Sequence, residues 1–418
     1  VNKSLPVFLM HLCVSALLAA AVSYGGYVML CDALETAQEE HSQAYIRVRA
    51  EREQQLFDDA QVFVRTAESA FRRRLAVLDN ADVSAEFERF FPLMPDGTRR
   101  SVPELFEGQT FPDGDHVYGV GSFLADGADM TLADKRLFLA AFQTVRSVGE
   151  AHINRFSSLY FFTPDRRVVI FAPGREDRLE FYRITAPADF DLRGDEDAAL
   201  FDRATNPNGE MQCSRLSRFV YTDGGERSAT SCRLPIRRDG ELLGGIGTSI
   251  MMTAHLERAL RQPPPYGVNM LFDAEGNVIV RGDVFHAGQY VDPEADRIDP
   301  NTAMEMLRDD PRPSGVIQAP DSPYLIAYSR LDGPSWYFVS FIPLDVVWTK
   351  AANWARVVFV LTFLASLIFI SIRWGLSRRR FLRRLKCWQA LVRRGRRESA
   401  RAGGVPRRIS RDAISHAE

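Results

Sequence analysis

A chain of 418 residues with 46% hydrophobic and 25% charged residues has the make-up of folded protein and room for two or three domains, which excludes a wholly disordered chain. Its formal net charge of −2 hides an asymmetry: residues 373–418 hold fifteen Lys and Arg against Glu398, Asp412 and Glu418, so the rest is clearly acidic. The basic tail is expected to lie on anionic lipid, with nucleic-acid binding by the tail, allowed on charge alone, as the lesser alternative, and no nucleic-acid partner is expected.

Residues 5–31 follow Lys3 and are apolar for about 27 residues, more than the roughly 20 needed to cross a bilayer. A cleaved signal peptide is the alternative, but the run is long for one and flows into a helical pattern. No glycine or proline occurs from Tyr27 to Phe91. Leu56, Ala60, Phe63, Ala67, Phe71, Leu75 and Leu78 recur at steps of three and four, which puts them on one helical face. The opposite face carries Arg52, Glu53, Asp58, Asp59, Arg65, Glu68, Arg72 and Arg73. Helical from 32 to 80, this segment is about 70 Å long, too long for one ordinary core helix. Its lower half, 35–55, is poor in large apolar residues and is expected to remain adjustable, while 56–78 packs tightly.

Residues 82–150 mix short helical pieces (84–91 and 132–148) with Gly- and Asp-rich loops, which predicts the flank of a domain rather than a sheet. Residues 158–163 and 167–172 are rich in aromatic and β-branched side chains around Pro164 and Asp165, a hairpin pattern. The charged, irregular stretch 173–207 reads as a loop crossing a sheet face. Strands are predicted at 212–221, 228–237 and 241–250, the last two joined by Asp239 and Gly240, a strong hairpin signal. A helix at 253–261 stops at Pro263, Pro264 and Pro265, the clearest internal boundary. Beyond it the plan repeats: a hairpin at 268–281, a helix at 302–308, and a strand pair, 324–330 and 336–342, about Asp332 and Gly333.

A second span is predicted at 357–372, extended by Ala351, Ala352 and Ala355 and bracketed by Trp354 and Trp374. Residues 378–388 continue as a short basic helix on anionic lipid, and 393–418 are expected to be disordered. The Arg-rich tail places both termini in the cytoplasm and residues 32–353 outside, in a bacterial periplasm. Cys213 and Cys232 are then the two cysteines in an oxidising compartment, flanking a turn at 223–225, and predict a disulfide across paired strands; two unpaired buried thiols are the alternative. The predicted segments are 1–31 (first transmembrane helix), 32–80 (stalk helix), 81–262 (membrane-distal unit), 263–350 (membrane-proximal unit), 351–373 (second transmembrane helix) and 374–418 (basic cytoplasmic tail). The fold class is α+β, with antiparallel sheets in both units.

Together this architecture, and phrases such as LPIRRDGELLGGIGTSI and MLFDAEGNVIV, resemble the double Cache sensors of bacterial histidine kinases, chemoreceptors and diguanylate cyclases. The resemblance spans about residues 32–350 and implies tandem PAS-like units with a ligand pocket in the distal one. By that resemblance the pocket draws on Tyr160, Phe162, Arg175, Arg178, Phe181, Tyr182, Arg183 and Arg233. Arginines suit a carboxylate or phosphate, and aromatic walls an apolar body. The alternative is solvated loop arginines and core aromatics. Amino-acid-binding members carry Arg closely followed by Trp-Tyr, and an Asp on the last distal strand for the ammonium. Here Phe181 and Tyr182 follow Arg178 at another spacing, and Ser249 stands at the Asp position, so an anionic ligand fits better than an amino acid.

No catalytic motif is present: no P-loop, no Gly-x-Ser-x-Gly, no dinucleotide fingerprint. His116, His152, His255 and His286 are scattered, with no pair at metal-ligand spacing, so no metal site can be argued from them, and no cofactor is expected. Gly244, Gly245 and Gly247 are expected to ease close backbone packing, and Asp309 and Asp310 to be solvated. The expected function is an inner-membrane sensor in a homodimer that binds a periplasmic small molecule and signals across the membrane. The alternative is a membrane-tethered periplasmic binding or assembly protein without signalling. No kinase or cyclase segment follows the second span, so the output is expected from a separate cytoplasmic kinase or cyclase, or from a module missing after a truncation.

Overall fold

The computed structural model describes residues 4–112, 114–175, 179–191, 195–220, 226–260, 267–281, 300–318 and 324–401. Ala37–Leu344 form one compact unit, and the remaining described residues form a second. The predicted proline boundary at 263–265, the turn at 223–225 and most of the tail beyond 393 lie wholly or partly outside the described residues.

The smaller unit contains the start of helix α1 (Ser4–Leu78) and helix α8 (Asp345–Arg401). Met10–Leu78 and Trp348–Arg373 are each long and apolar enough to cross a membrane. Ser23 Oγ donates to the Ala355 carbonyl at 2.6 Å, and Trp348 Nε1 donates to Glu35, so the two helices touch within this unit. The helix that carries the second apolar segment does not end at 388 as the sequence suggests; it runs on to Arg401, because a basic stretch without proline supplies nothing to stop it.

In the larger unit two antiparallel sheets share one core with α1. The first is built from β1 (Arg99–Arg100), β4 (Val120–Leu124), β5 (Leu159–Thr163), β6 (Arg167–Phe171), β7 (Gln212–Cys213), β8 (Ser217–Val220), β9 (Glu226–Arg238) and β10 (Glu241–Met251). Its order is β1-β4-β6-β5-β10-β9-β7, with β8 also on β9. A two-stranded ribbon, β2 (Gln109–Thr110) and β3 (His116–Val117), stands apart. Residues 82–150 are therefore not only a flank. Val120–Leu124, buried at all five positions, pairs with β6, and its lack of alternation is what a strand covered on both faces shows. The β9–β10 hairpin turns at Asp239 and Gly240 with φ of 53° and 89°, the positive values that tight two-residue hairpins demand.

One face of this sheet meets α1 and α4 (Leu132–Ala151). Phe71 stacks on Phe161 at 4.9 Å, and Phe138 meets the same ring edge-on at 5.8 Å. The predicted stripe on α1 is buried from Ala60 to Leu75, with a slight rotation at its lower end. Phe57 is buried, edge-on to Trp336 at 5.7 Å, whereas Leu56 is half-buried.

The second sheet has the order β12-β11-β15-β14-β13, from β11 (Val268–Phe272), β12 (Val278–Arg281), β13 (Ser314–Gln318), β14 (Tyr324–Leu331) and β15 (Trp336–Pro343). Its outer face is closed by a helix at Pro300–Asp309, through Met304 and Leu307 against Met270, Phe272, Ile326 and Phe341. Strand β13 was not legible beside Pro311 and Pro313. Asp310 is not simply solvated: it pairs with Arg312, and that guanidinium and the Tyr328 hydroxyl hold its carboxyl well below the usual range.

The lower part of α1 is not loosely held. Ile46 and Ser42 are fully buried, and Tyr45 Oη accepts from Asn269 Nδ2 at 2.9 Å while Ser340 donates to the same Asn. Glu53 takes His255 Nε2 at 2.8 Å and Arg49 at 3.4 Å. An apolar stripe is missing there because hydrogen-bonded polar side chains carry the packing instead.

Candidate functional site

Side chains alternate across a strand, so β5 sends Phe161 to the α1 face and Tyr160 and Phe162 to the other. In β9 the buried Cys232 joins the α1-side core, while Ser231 and Arg233 face with Tyr160 and Phe162. A cavity of about 220 Å³ opens on this second face. Its floor is Tyr160, Phe162, Val168 and Ile170, with Ser231 and Arg233 from β9 and Ser249 from β10. Its rim is Ser157, Ser158 and Ser214 on one side and Arg175 and Tyr182 from the crossing segment on the other.

Space for the cavity depends on Gly247. It lies opposite Tyr160 and Arg233 in the ladder, and a Cβ there would fall 2.8 Å from Tyr160 Oη and 2.8 Å from Arg233 Cγ. Gly244, at φ 148°, would instead bring a Cβ to 2.6 Å from the Phe162 carbonyl. The predicted close packing at these glycines is therefore present, and at Gly247 it also shapes the cavity.

The hydroxyls have a readable polarity. Ser158 Oγ accepts from the Ser249 amide at 3.1 Å, which leaves its proton for another acceptor. Ser231 and Ser249 hydroxyls share one bond at 3.3 Å, so one of the pair keeps a proton to give. Ser214 Oγ accepts from the Ser231 amide at 3.0 Å, which holds that serine at the rim. Cys213, the residue before it, is disulfide-bonded to Cys232, its register partner in the ladder. The lining thus combines two guanidiniums, two phenols and five serines, and no acidic side chain is among the described lining residues. The guanidiniums only donate, while the hydroxyls can donate or accept, so such a wall can complement an oxyanion.

Of the residues the resemblance implied, Tyr160, Phe162, Arg175, Tyr182 and Arg233 are brought together at this cavity. Phe181 and Arg183 are not among its lining residues. Phe181 packs edge-on against Phe190 at 4.9 Å, and the Arg183 guanidinium sits 4.4 Å from the Phe106 ring. The cause is local: residues 181–185 form one turn of π-helix, which spreads consecutive side chains over different directions. Arg178 lies outside the described residues. Sequence reasoning missed the serines entirely, except Ser249; Ser157, Ser158, Ser214 and Ser231 carry no spacing signal and meet only through strand pairing. No group of three or more His, Cys, Asp or Glu that could hold a metal occurs among the described residues.

No family model matches the sequence, and no curated protein sequence matches it. The chain is similar to sensory domains of bacterial chemoreceptors. One is the ligand-binding domain of Pseudomonas fluorescens CtaA in complex with L-isoleucine, at 12% identity and a TM-score of 0.40, covering 76% of this chain and 98% of that one. Another is the sensory domain of Campylobacter jejuni Tlp3, at 11% identity and 0.42, with the same coverage. The Pseudomonas aeruginosa PctC domain in complex with GABA is similar at 12% identity and 0.35, over 73% of this chain and all of that one.

Proposed function

We propose that the chain is a membrane-anchored sensor of the double Cache type whose cavity on the eight-stranded sheet binds a small anionic ligand. The observation that carries this reading is the lining itself: Arg175 and Arg233 beside hydroxyls that have protons to give, with no acidic side chain among the described lining residues. Among the described residues a ligand ammonium would find no carboxylate in the lining, and Ser249 occupies the strand position where one would serve it. The distal unit corresponds to 81–262 and the proximal unit to 263–350.

The two apolar helices support a two-pass arrangement with residues 32–353 in the periplasm and both termini in the cytoplasm. Large apolar side chains are exposed on both, such as Leu17 at 70% and Leu361 at 62%, which suits contact with lipid rather than water. Ligand-dependent shifts of α1 or α8 in a homodimer would carry the signal to a cytoplasmic kinase or cyclase.

The test is a thermal-shift screen of the detergent-solubilised full chain against carboxylates, phosphates, amino acids and polyamines. A ligand at a hundred times its dissociation constant adds about 2.7 kcal/mol of stability. A carboxylate or phosphate is expected to do so, with the effect lost in Arg233→Gln. Stabilisation by amino acids or polyamines alone would overturn the anionic assignment.

A further inference from the structure

The eight-stranded sheet has a second cavity nearby, on the side of α4 and away from the serine-lined one. It measures about 430 Å³ and lies between four elements: α1, α2 (Ser84–Phe90), the β2–β3 ribbon and α4. Each helix contributes one arginine, Arg74 from α1, Arg89 from α2 and Arg146 from α4, and Phe90, Phe111 and Phe142 supply apolar wall. None of the three was singled out by the sequence, because they come from helices about 15 and 57 residues apart along the chain.

Their partners are weak ones. Arg74 donates to two neutral hydroxyls, Thr144 Oγ1 at 3.1 Å and Ser147 Oγ at 2.6 Å, and to no carboxylate among the described residues. Burial, and then the neighbouring Arg146 and Arg73 guanidiniums, push its pKa below the usual arginine value. Arg89 lies over the Phe90 and Phe111 rings at 4.5 and 5.3 Å and has no ion pair among the described residues. Arg146 pairs with Asp115 through one terminal nitrogen, while its Nε is buried without a hydrogen-bond partner. The lining acids are Asp115, engaged by Arg146, and Glu86, which is exposed. Among the described residues, three converging cations, one with a buried donor to spare, thus face two carboxylates. Bringing like charges together is unfavourable unless an anion sits among them.

We infer that this cavity is a second binding site, for a small oxyanion of the phosphate or carboxylate class, gripped by Arg74, Arg89 and Arg146. The planar forks of three guanidiniums suit the several oxygens of one such anion. The site is independent of the serine-lined cavity, and its occupant need not be the same compound.

The test is isothermal titration of the detergent-solubilised full chain with inorganic phosphate and with citrate, in an Arg233→Gln background that removes the first cavity's contribution. Saturable binding of at least one probe is expected. Adding Arg89→Gln, at an exposed position that should not disturb folding, is expected to weaken it about tenfold, the loss of one charge-assisted contact. Arg74→Gln should do the same, and Glu86→Gln should tighten binding, a change of sign that mere structural damage would not produce. Arg52→Gln, on an exposed face of the same helix α1, serves as the neutral control. No saturable binding of either probe, or binding undiminished by Arg89→Gln, would overturn the inference; should Arg74→Gln fail to fold, Arg89→Gln alone decides.

Discussion

The two sheets of the larger unit are built alike and differ on their outer faces. Both are antiparallel, and both give their inner face to a core shared with α1. On the five-stranded sheet the outer face is closed by an amphipathic helix, whose Met304 and Leu307 fit among Met270, Phe272, Ile326 and Phe341. On the eight-stranded sheet the outer face is crossed by a segment that covers Phe123, Val168 and Ile170 with Leu179, Tyr182 and Ala186 but leaves the serine and arginine end open. A strand face becomes core or cavity according to what lies over it. An apolar helical stripe fills the pleat, whereas a charged connection with a π-turn closes only part of it.

The largest expected effect tests the closed face. Phe341→Ala removes a buried ring from it and should cost about 3–5 kcal/mol, read by denaturant unfolding. A loss below about 1 kcal/mol would mean that this face is not packed as described. Next comes the edge of the open face. Breaking the Cys213–Cys232 bond by Cys213→Ala frees a loop with a sequence separation of 19, at a cost of about 3 kcal/mol. It should also weaken ligand stabilisation, since Ser214 loses its anchored neighbour.

Gly247→Val sharpens the contrast at the cavity floor. The added side chain collides with Tyr160 and Arg233, so stability should fall by about 1–3 kcal/mol and ligand stabilisation should disappear. The same change of Gly to Val on an open surface would do neither. The smallest effect concerns pH. A hydrogen bond from Arg99, with help from Lys135, holds the Glu88 carboxyl below its usual value. A depressed folded pKa gives stability that is present above the unfolded value, about 4.3, and is lost as pH falls through the folded one. Glu88→Gln should therefore flatten the acid limb of the stability curve and leave it unchanged in shape near neutrality.

Much of this organisation was legible before any coordinates. Runs of aromatic and β-branched residues and the Asp239-Gly240 pair marked the hairpins, and the three-and-four spacing from Ala60 to Leu75 marked the buried face of α1, because both signals are carried by residues within a few positions of one another. What escaped had a different physical basis. Val120–Leu124 has no alternation since both its faces are covered, and the lower part of α1 packs through Tyr45, against Asn269, and through Arg49 and Glu53, charged residues that look solvent-facing until His255 is placed against Glu53.

The sites show the same division. The sequence by itself determined that aromatic and arginine residues flank the hairpin at 158–172, and that Cys213 and Cys232 sit on neighbouring strands. Only the tertiary structure decided that Ser158, Ser231 and Ser249 meet Arg175 and Arg233 in one cavity, that Phe181 and Arg183 turn to other neighbours, and that Arg74, Arg89 and Arg146 converge on another. The reason is that hairpin and helix signals are local in the chain. The pairing of β5 with β10 joins residues more than 80 positions apart, and no local pattern records which side chains such a pairing will bring together.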